Sequence, residues 1–332
     1  YILGNELERF DQKFAAFTTS HYCVGLNSGL DALILAIRAL DIGEGDEVIV
    51  PATTYIATIL AITENGAVPI LVEPDEYYNI DVNQIEDAIT DRTKAILVVH
   101  LYGQTANMEV ICNIAKRHKL YLIEDCAQSH SSGFDGKMTG TFGDIGCFSF
   151  FPTKNLGAFG DAGAIVTDQK EIAEKFKKLR NYGSSIKYIN HIEGVNSRLD
   201  ELQAALLNTK LDYLMELTEE RTRLAEIYLK HIKNEKIELP QTLSRAGNVW
   251  HLFVVRTERR DELQEYLSNN KIQTQIHYPI PANLQECYKK FGYKKGDFPI
   301  TEKYAETMLS LPLYIGMTDE EINYVIDVIN QY

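Results

Sequence analysis

The sequence predicts an α/β fold, a large domain built on a mainly parallel sheet followed by a smaller α+β domain. Three observations carry this. From about Gly25 to Thr167 short apolar runs alternate with helical patterns, as βαβ units do. The run AILVVH at 95–100 is almost continuously apolar, the mark of a strand covered on both faces. The length of 332 residues, 45% of them hydrophobic, is enough for a large domain and a smaller one.

The elements follow in order. Residues 32–40 (ALILAIRAL) have the spacing of a helix, 47–50 form a strand, 58–64 a helix and 68–72 a strand. The strand at 95–100 precedes a helix over 108–118, and the strand at 121–123 runs straight into Glu124 and Asp125. Strands at 145–151 and 163–166 flank a loop containing Lys154, and a helix follows over 171–179. One longer helical pattern, from Leu199 to about Lys230, links the two domains, which divide into 1–215 and 216–332. The second domain reads as a strand at 250–256, a helix at 261–269, a strand at 273–277 and a final helix at 319–330.

Charge and composition exclude several classes of function. Lys and Arg total 33 against 47 Asp and Glu, a net charge of −14. That disfavours a nucleic-acid partner, although one phosphorylated ligand can still be held locally. Cys23, Cys112, Cys126, Cys147 and Cys287 are odd in number and scattered, with no CxxC pair. They read as reduced structural thiols in the cytoplasm, with no metal site. No run approaches the ~20 apolar residues that cross a bilayer, so no membrane association is expected. The start, YILGNELERF, lacks the pattern of a signal peptide. It also lacks Met, so the native N-terminus is expected to lie upstream.

Four segments carry chemistry. Between Asp144 and Asp161, IGCFSFFPTKNLGAFG holds one charge, Lys154. A buried, unpaired ammonium tends to become neutral, and a neutral amine attacks an aldehyde, which is the chemistry of a Schiff-base lysine. The competing reading is a loop from which Lys154 snorkels to water. In LIEDCAQSH, Asp125 ends a strand and points toward the crevice where α/β sheets bind ligands. Pyridoxal phosphate needs such a carboxylate at its ring nitrogen. A helix cap or turn former is the alternative. Gln128 is either a partner for the ring hydroxyl or a surface amide. In GLNSGLDALILAIRAL a helix starts after Asn27, Ser28 and Gly29. Its free N–H groups make a phosphate site, and an ordinary N-cap predicts the same residues. Tyr55 in VPATTYIAT can stack on a planar cofactor or lie in the core. No GxGxxG or GxxxxGK[ST] is present, which argues against a dinucleotide enzyme and a P-loop NTPase.

Taken together, GDEVIVPATTYIAT, HLYGQ, IEDCAQSH, FSFFPTKNLGAFGDAGAIVT, LRNYGS, NSRLDELQAA and IHYPIP resemble the DegT/StrS family of nucleotide-sugar aminotransferases along essentially the whole chain. The resemblance implies a fold type I, aspartate aminotransferase-like architecture, pyridoxal 5'-phosphate as cofactor, and a homodimer with shared active sites. It makes Lys154 the Schiff-base lysine and proton shuttle, Asp125 the ring-nitrogen partner, Gln128 the ring-hydroxyl partner and Tyr55 the stacking ring. It assigns Gly29, Leu30 and Asp31 to the phosphate turn, Ser149 to the phosphate, and Asn196 to the phosphate of the second subunit. Tyr182 and His277 fall where the substrate approaches.

The surroundings KNLGAFGDAG resemble the branch that aminates carbon 3, in particular of dTDP-3-keto-6-deoxyhexoses, with glutamate as donor. A UDP-linked keto sugar is the alternative substrate. Two rival activities stay in view. A related sugar dehydratase carries a histidine where this chain has Lys154, and a non-catalytic regulator that kept the fold would not need the lysine.

Overall fold

The computed structural model describes residues 1–332. A seven-stranded sheet contains β1 (Tyr22–Leu26), β2 (Glu47–Pro51), β3 (Val68–Val72), β4 (Thr93–Val99), β5 (Tyr121–Asp125), β8 (Ile145–Ser149) and β9 (Gly163–Thr167). The short hairpin β6 (Gly133–Phe134) and β7 (Lys137–Met138) lies outside it. The order across the sheet is β1-β9-β8-β5-β4-β2-β3. Strands β8, β5, β4, β2 and β3 are parallel, as expected. β9 is reversed and pairs antiparallel with both β8 and β1. The reversal follows from the connection: β8 reaches β9 through a loop with no crossover helix, and only antiparallel neighbours can be joined so directly. That loop holds Lys154.

Side chains alternate along the strands and supply both faces. Val48, Val50, Ala95, Leu97 and Val99 join one buried cluster with α2 (Gly29–Ala39), α3 (Ile56–Thr63) and α5 (Lys170–Leu179). Ile49, Ile96 and Val98 join another with α4 (Met108–His118). A third cluster covers β8 and β9 with α1 (Asn5–Thr18) and α6 (Glu201–Leu211). The sequence reading did not anticipate α1, although Leu7, Phe10 and Phe14 have helical spacing and are buried. Phe14 meets Phe148 and Phe150 edge-on at 5.0 and 5.2 Å between ring centres.

Three expectations need correction. The long helix expected over 199–230 is two helices, α6 and α7 (Leu214–His231), broken at Asp212 and Tyr213. Lys13 of α1 donates to the Asn208 carbonyl at 2.6 Å and pairs with Asp212 at 2.6 Å. Tyr213 N–H then turns back to Lys210 O, an i→i−3 bond that tightens the last turn. The strand expected at 250–256 begins only at Phe253, as β12 (Phe253–Arg256), because Trp250 is left-handed at φ 49°. The strand expected at 273–277 reduces to a single bridge between Gln275 and Ser310.

Ser310 belongs to β13 (Met308–Leu311), the antiparallel partner of β12, and both β13 and α9 (Pro299–Thr307) were unanticipated. Around β12 and β13, helices α7, α8 (Arg260–Asn269) and α10 (Asp319–Gln331) form a separate core that includes Tyr228, Trp250, Phe253, Leu267, Leu309 and Ile329. The remaining hairpin, β10 (Ser184–Ile186) with β11 (Ile189–Asn190), projects outward and carries exposed Ile186, Tyr188 and Ile189. The five cysteines are free thiols, Cys23, Cys126 and Cys147 buried. No helix is long and apolar enough to cross a membrane.

Glu124 fastens the loop that leads into β8. Its carboxylate accepts from Gly140 N–H at 2.7 Å, Phe142 N–H at 2.7 Å and Gly143 N–H at 2.8 Å. His100 adds a fourth donor: its Nδ1 accepts from Ala106 N–H, so its proton is on Nε2, 3.1 Å from Glu124 Oε2. Gly140 sits at φ 90°, where an L side chain would be strained and would strike the Phe148 ring. With these atoms committed to one another, His100 and Glu124 form an internal tie, and Cys126 Sγ beside them faces the Glu124 carbonyl at 3.8 Å. Glu124→Gln replaces an acceptor with a donor facing N–H groups and is expected to cost about 3 kcal/mol. Urea unfolding followed by circular dichroism measures it, and a loss below about 1 kcal/mol would contradict the tie.

Candidate active site

A cleft of about 550 Å³ opens beyond the carboxyl ends of the parallel strands, where open α/β sheets place ligands. Gly29, Leu30, Tyr55, Asp125, Gln128, Ser149, Lys154 and His277 all line it, so the fold brings eight of the eleven expected site residues together.

At the start of α2, Ser28 is the N-cap, its Oγ accepting from Asp31 N–H at 3.1 Å. The first N–H groups of the helix, at Gly29 and Leu30, have no intrahelical acceptor and remain for an anion. A Cβ on Gly29 would lie 2.5 Å from Ser149 Cβ, so only glycine lets the turn close against Ser149. The N-cap and a phosphate site are therefore compatible, on different N–H groups.

Asp125, at the end of β5, is buried. Its Oδ1 accepts from Ala127 N–H at 3.1 Å and its Oδ2 from the Thr58 hydroxyl at 2.9 Å. Burial pushes its pKa up, while those two donors and Lys154 pull the other way. A buried carboxylate in this condition gains by meeting a cation, which is what a protonated ring nitrogen offers. Gln128 is also buried, not a surface amide. Its Oε1 accepts from Tyr102 N–H at 2.7 Å, and its Nε2 is 3.2 Å from Tyr278 Oη.

Lys154 stands in the loop between β8 and β9, its N–H turned to Phe151 O at 2.8 Å. The amine lies in the cleft, where burial lowers its pKa to about 8 and the Asp125 carboxylate opposes the drop. Tyr55 is 53% exposed on the cleft lip and tilts against Tyr278 at 5.3 Å, which excludes the core reading. His277 holds Ser310 Oγ at 2.8 Å through Nδ1, and burial followed by Lys154 lowers its pKa.

The other three expected residues lie outside the cleft. Asp31 turns away, its N–H taken by Ser28 and its carboxylate by Ser197 Oγ at 2.6 Å. Asn196 bridges Asn181 through the backbone and is exposed. Tyr182 is 51% exposed, with the Arg198 guanidinium 5.6 Å from its ring centre. The sequence reading missed Thr58, Tyr278 and His251. The tyrosine was within reach, since it stands in the IHYPIP stretch. Thr58 likewise ends the VPATTYIAT stretch, but its task depends on a partner, Asp125, 67 residues away.

The donor set fits pyridoxal phosphate: free N–H groups beside a hydroxyl, a buried carboxylate, an amide, an aromatic lip and an amine of lowered pKa. Comparison with solved structures agrees. S. venezuelae DesV in complex with ketimine intermediate superposes with a TM-score of 0.98 at 46% identity, over 99% of this chain and 90% of that one. NtdA from Bacillus subtilis with bound cofactor PMP gives 0.92 at 34% identity, over 99% and 77%. Fold and site thus define a pyridoxal-phosphate-dependent aminotransferase of fold type I.

Residues 1–330 match the DegT/DnrJ/EryC1/StrS aminotransferase family, and the chain belongs to it. A relative from Aneurinibacillus thermoaerophilus, dTDP-3-amino-3,6-dideoxy-alpha-D-galactopyranose transaminase, is 54% identical over 333 residues, which is 100% of this chain and 91% of that protein.

In the cofactor-free protein, acylation of Lys154 by limiting reagent, followed by mass spectrometry, is expected to titrate near pH 8. Asp125→Asn removes the opposing charge and should move that midpoint lower. A wild-type midpoint at the ordinary lysine value of about 10.4 would refute the burial argument. The sign for stability follows from proton binding. Below pH 8 both folded and unfolded chains carry the lysine proton, and the folded one bears the full desolvation cost. Between pH 8 and about 10.4 only the unfolded chain binds it, so stability rises with pH. Lys154→Met is therefore expected to raise the melting temperature of the cofactor-free protein at pH 7, with the advantage shrinking above pH 8.

Proposed function

We propose that this enzyme transfers the amino group of glutamate to carbon 3 of a dTDP-3-keto-6-deoxyhexose, giving a dTDP-3-amino-3,6-dideoxyhexose. The observation that carries the chemistry is Lys154, an amine of lowered pKa in one cleft with the buried Asp125 and the α2 phosphate turn. The choice of sugar rests on the KNLGAFGDAG surroundings and on the 54% identical relative named above.

When bound, the cofactor supplies a carbonyl that accepts amines and a ring that takes up electron density. Lys154 Nζ would hold the cofactor and, as a neutral amine, could carry a proton between carbons of the bound substrate. The Asp125 carboxylate would hold a proton on the ring nitrogen, and Gln128 would serve the ring hydroxyl. Tyr55 would stack on the ring. The N–H groups of Gly29 and Leu30, with the Ser149 hydroxyl, would hold the phosphate. Asp31 serves this turn at one remove by binding Ser197 Oγ. His277 faces the substrate.

The working unit in this reading is a homodimer. The cleft's own cations stop at Lys154, yet both glutamate and a nucleotide sugar are anionic. Tyr182 and Asn196 lie outside this cleft, beside a hairpin whose Tyr188 is 87% exposed, as residues that serve a neighbouring subunit would. The separate core around β12 and β13 supports a division into domains at 215/216. The setting is cytoplasmic deoxyamino-sugar biosynthesis, as for lipopolysaccharide O-antigen.

The test offers the purified enzyme glutamate with dTDP-3-keto-6-deoxyglucose, its 4-epimer, the 4-keto isomers and a UDP-linked 3-keto sugar. Mass spectrometry should find nitrogen on a dTDP-linked 3-keto substrate, and transfer confined to 4-keto or UDP-linked substrates would overturn the assignment. Lys154→Ala should keep the fold by circular dichroism while turnover falls at least about 10³-fold, through loss of both nucleophile and proton carrier. Wild-type turnover in that variant would remove Lys154 from the mechanism.

A further inference from the structure

One imidazole in the cleft wall has no task so far. His251 is buried in the cleft wall, between the left-handed Trp250 and β12 in the chain. Its Nδ1 lies 2.9 Å from Asn155 Oδ1, and Asn155 Nδ2 donates to the Val249 carbonyl at 3.0 Å. Because Nδ2 is committed to a carbonyl, the amide oxygen of Asn155 faces the ring and can only accept. His251 must therefore carry its proton on Nδ1, leaving Nε2 with a bare lone pair.

Asn155 directly follows Lys154. The two side-chain bonds thus tie the lysine-bearing loop to 249–251, a segment 94 or more residues further along the chain. That segment is itself held by Val249 N–H to Gly103 O at 3.0 Å and Leu252 N–H to Tyr102 O at 3.3 Å. Tyr102 N–H in turn holds the amide of Gln128. The bonds form a continuous path from the loop of Lys154 to the side chain of Gln128, both facing the same cleft.

We propose that His251 is a positioning residue for Lys154, acting through Asn155 to hold the amine in register with Gln128 and Asp125. A neutral ring suits this task, since a second cation would repel the lysine. Burial first, then the charge of Lys154, with Arg221, His130 and His277 adding the same sign, keeps the His251 pKa well below that of an ordinary imidazole. The Nδ1 donor is therefore present as N–H without a charge across the working pH range.

The proposal rests on Lys154 being the cofactor lysine, and its test separates the two ideas. Wild type, His251→Asn and His251→Ala are compared as full-length holoenzymes. The readouts are the pH midpoint of the cofactor's visible absorbance, the rate of cofactor release into a dialysis sink, and kcat against KM for glutamate. Asparagine can still present an N–H to Asn155 Oδ1, and alanine cannot.

His251→Ala is expected to shift the absorbance midpoint and to lower kcat on the order of 10- to 100-fold with KM little changed, as misplacement of a reacting group does. His251→Asn should recover most of both. An unshifted midpoint in His251→Ala overturns the proposal, and so does an equal defect in both variants with an equal loss of melting temperature, which would mean that packing alone is at stake. If borohydride reduction of the wild-type holoenzyme leaves no cofactor on Lys154 by peptide mass spectrometry, the reading of Lys154 fails instead.

Discussion

Two carboxylates stand side by side at the end of β5 and face opposite ways, and the site depends on that alternation. Successive side chains of a strand point to opposite faces, so when Asp125 enters the cleft Glu124 must turn from it. Glu124 would be costly to bury alone. It is satisfied by three backbone N–H groups from 140–143 and by His100. Those bonds fix where the chain enters β8. The end of β8 then carries Ser149 against the Gly29 turn, and five residues later comes Lys154.

The reversal of β9 is the second determinant. A parallel connection would send the chain after β8 over the face of the sheet and away from the carboxyl ends of the strands. The antiparallel return keeps the whole connecting loop at the cleft end, and the lysine with it. Lys154 thereby lies in a wall made of side chains from distant parts of the chain: Tyr55 after β2, Asp125 on β5, and His251 and His277 from the C-terminal third. Its lowered pKa results from this enclosure, and Asp125, the nearest opposing charge, keeps the shift moderate.

Much of the fold was legible because the physics involved is local. Strand β3 falls at 68–72 and helix α4 at 108–118, as the periodicity indicates, and the other parallel strands differ by a residue or two. Lys154 and Asp125 were marked for another reason: a charge in an apolar loop and a carboxylate at a strand end each have an ordinary reading alone, and their occurrence in order with the Gly29 turn and Tyr55 singles them out. Where the reading failed, a distant partner decides. The expected long helix breaks at Asp212 beside Lys13 of α1, almost 200 residues earlier in the chain. The strand expected at 273–277 found one bridge to Ser310 in place of a ladder. Asp31, placed in the phosphate turn largely for its backbone, also has a carboxylate whose partner could not be read locally: Ser197, 166 residues away.

The sequence by itself determined the class of fold and the family and marked Lys154 as the candidate for the cofactor, since periodicity, composition and motif order need no knowledge of distance. The tertiary structure decided which of the marked residues share one cleft and which lie outside it. It also set the protonation preferences of Lys154 and Asp125 and disclosed Tyr278 and His251 in the cleft wall and Thr58 bonded to Asp125. Burial and hydrogen-bond partnership are properties of neighbours in space, and in this chain those neighbours are mostly far apart in sequence.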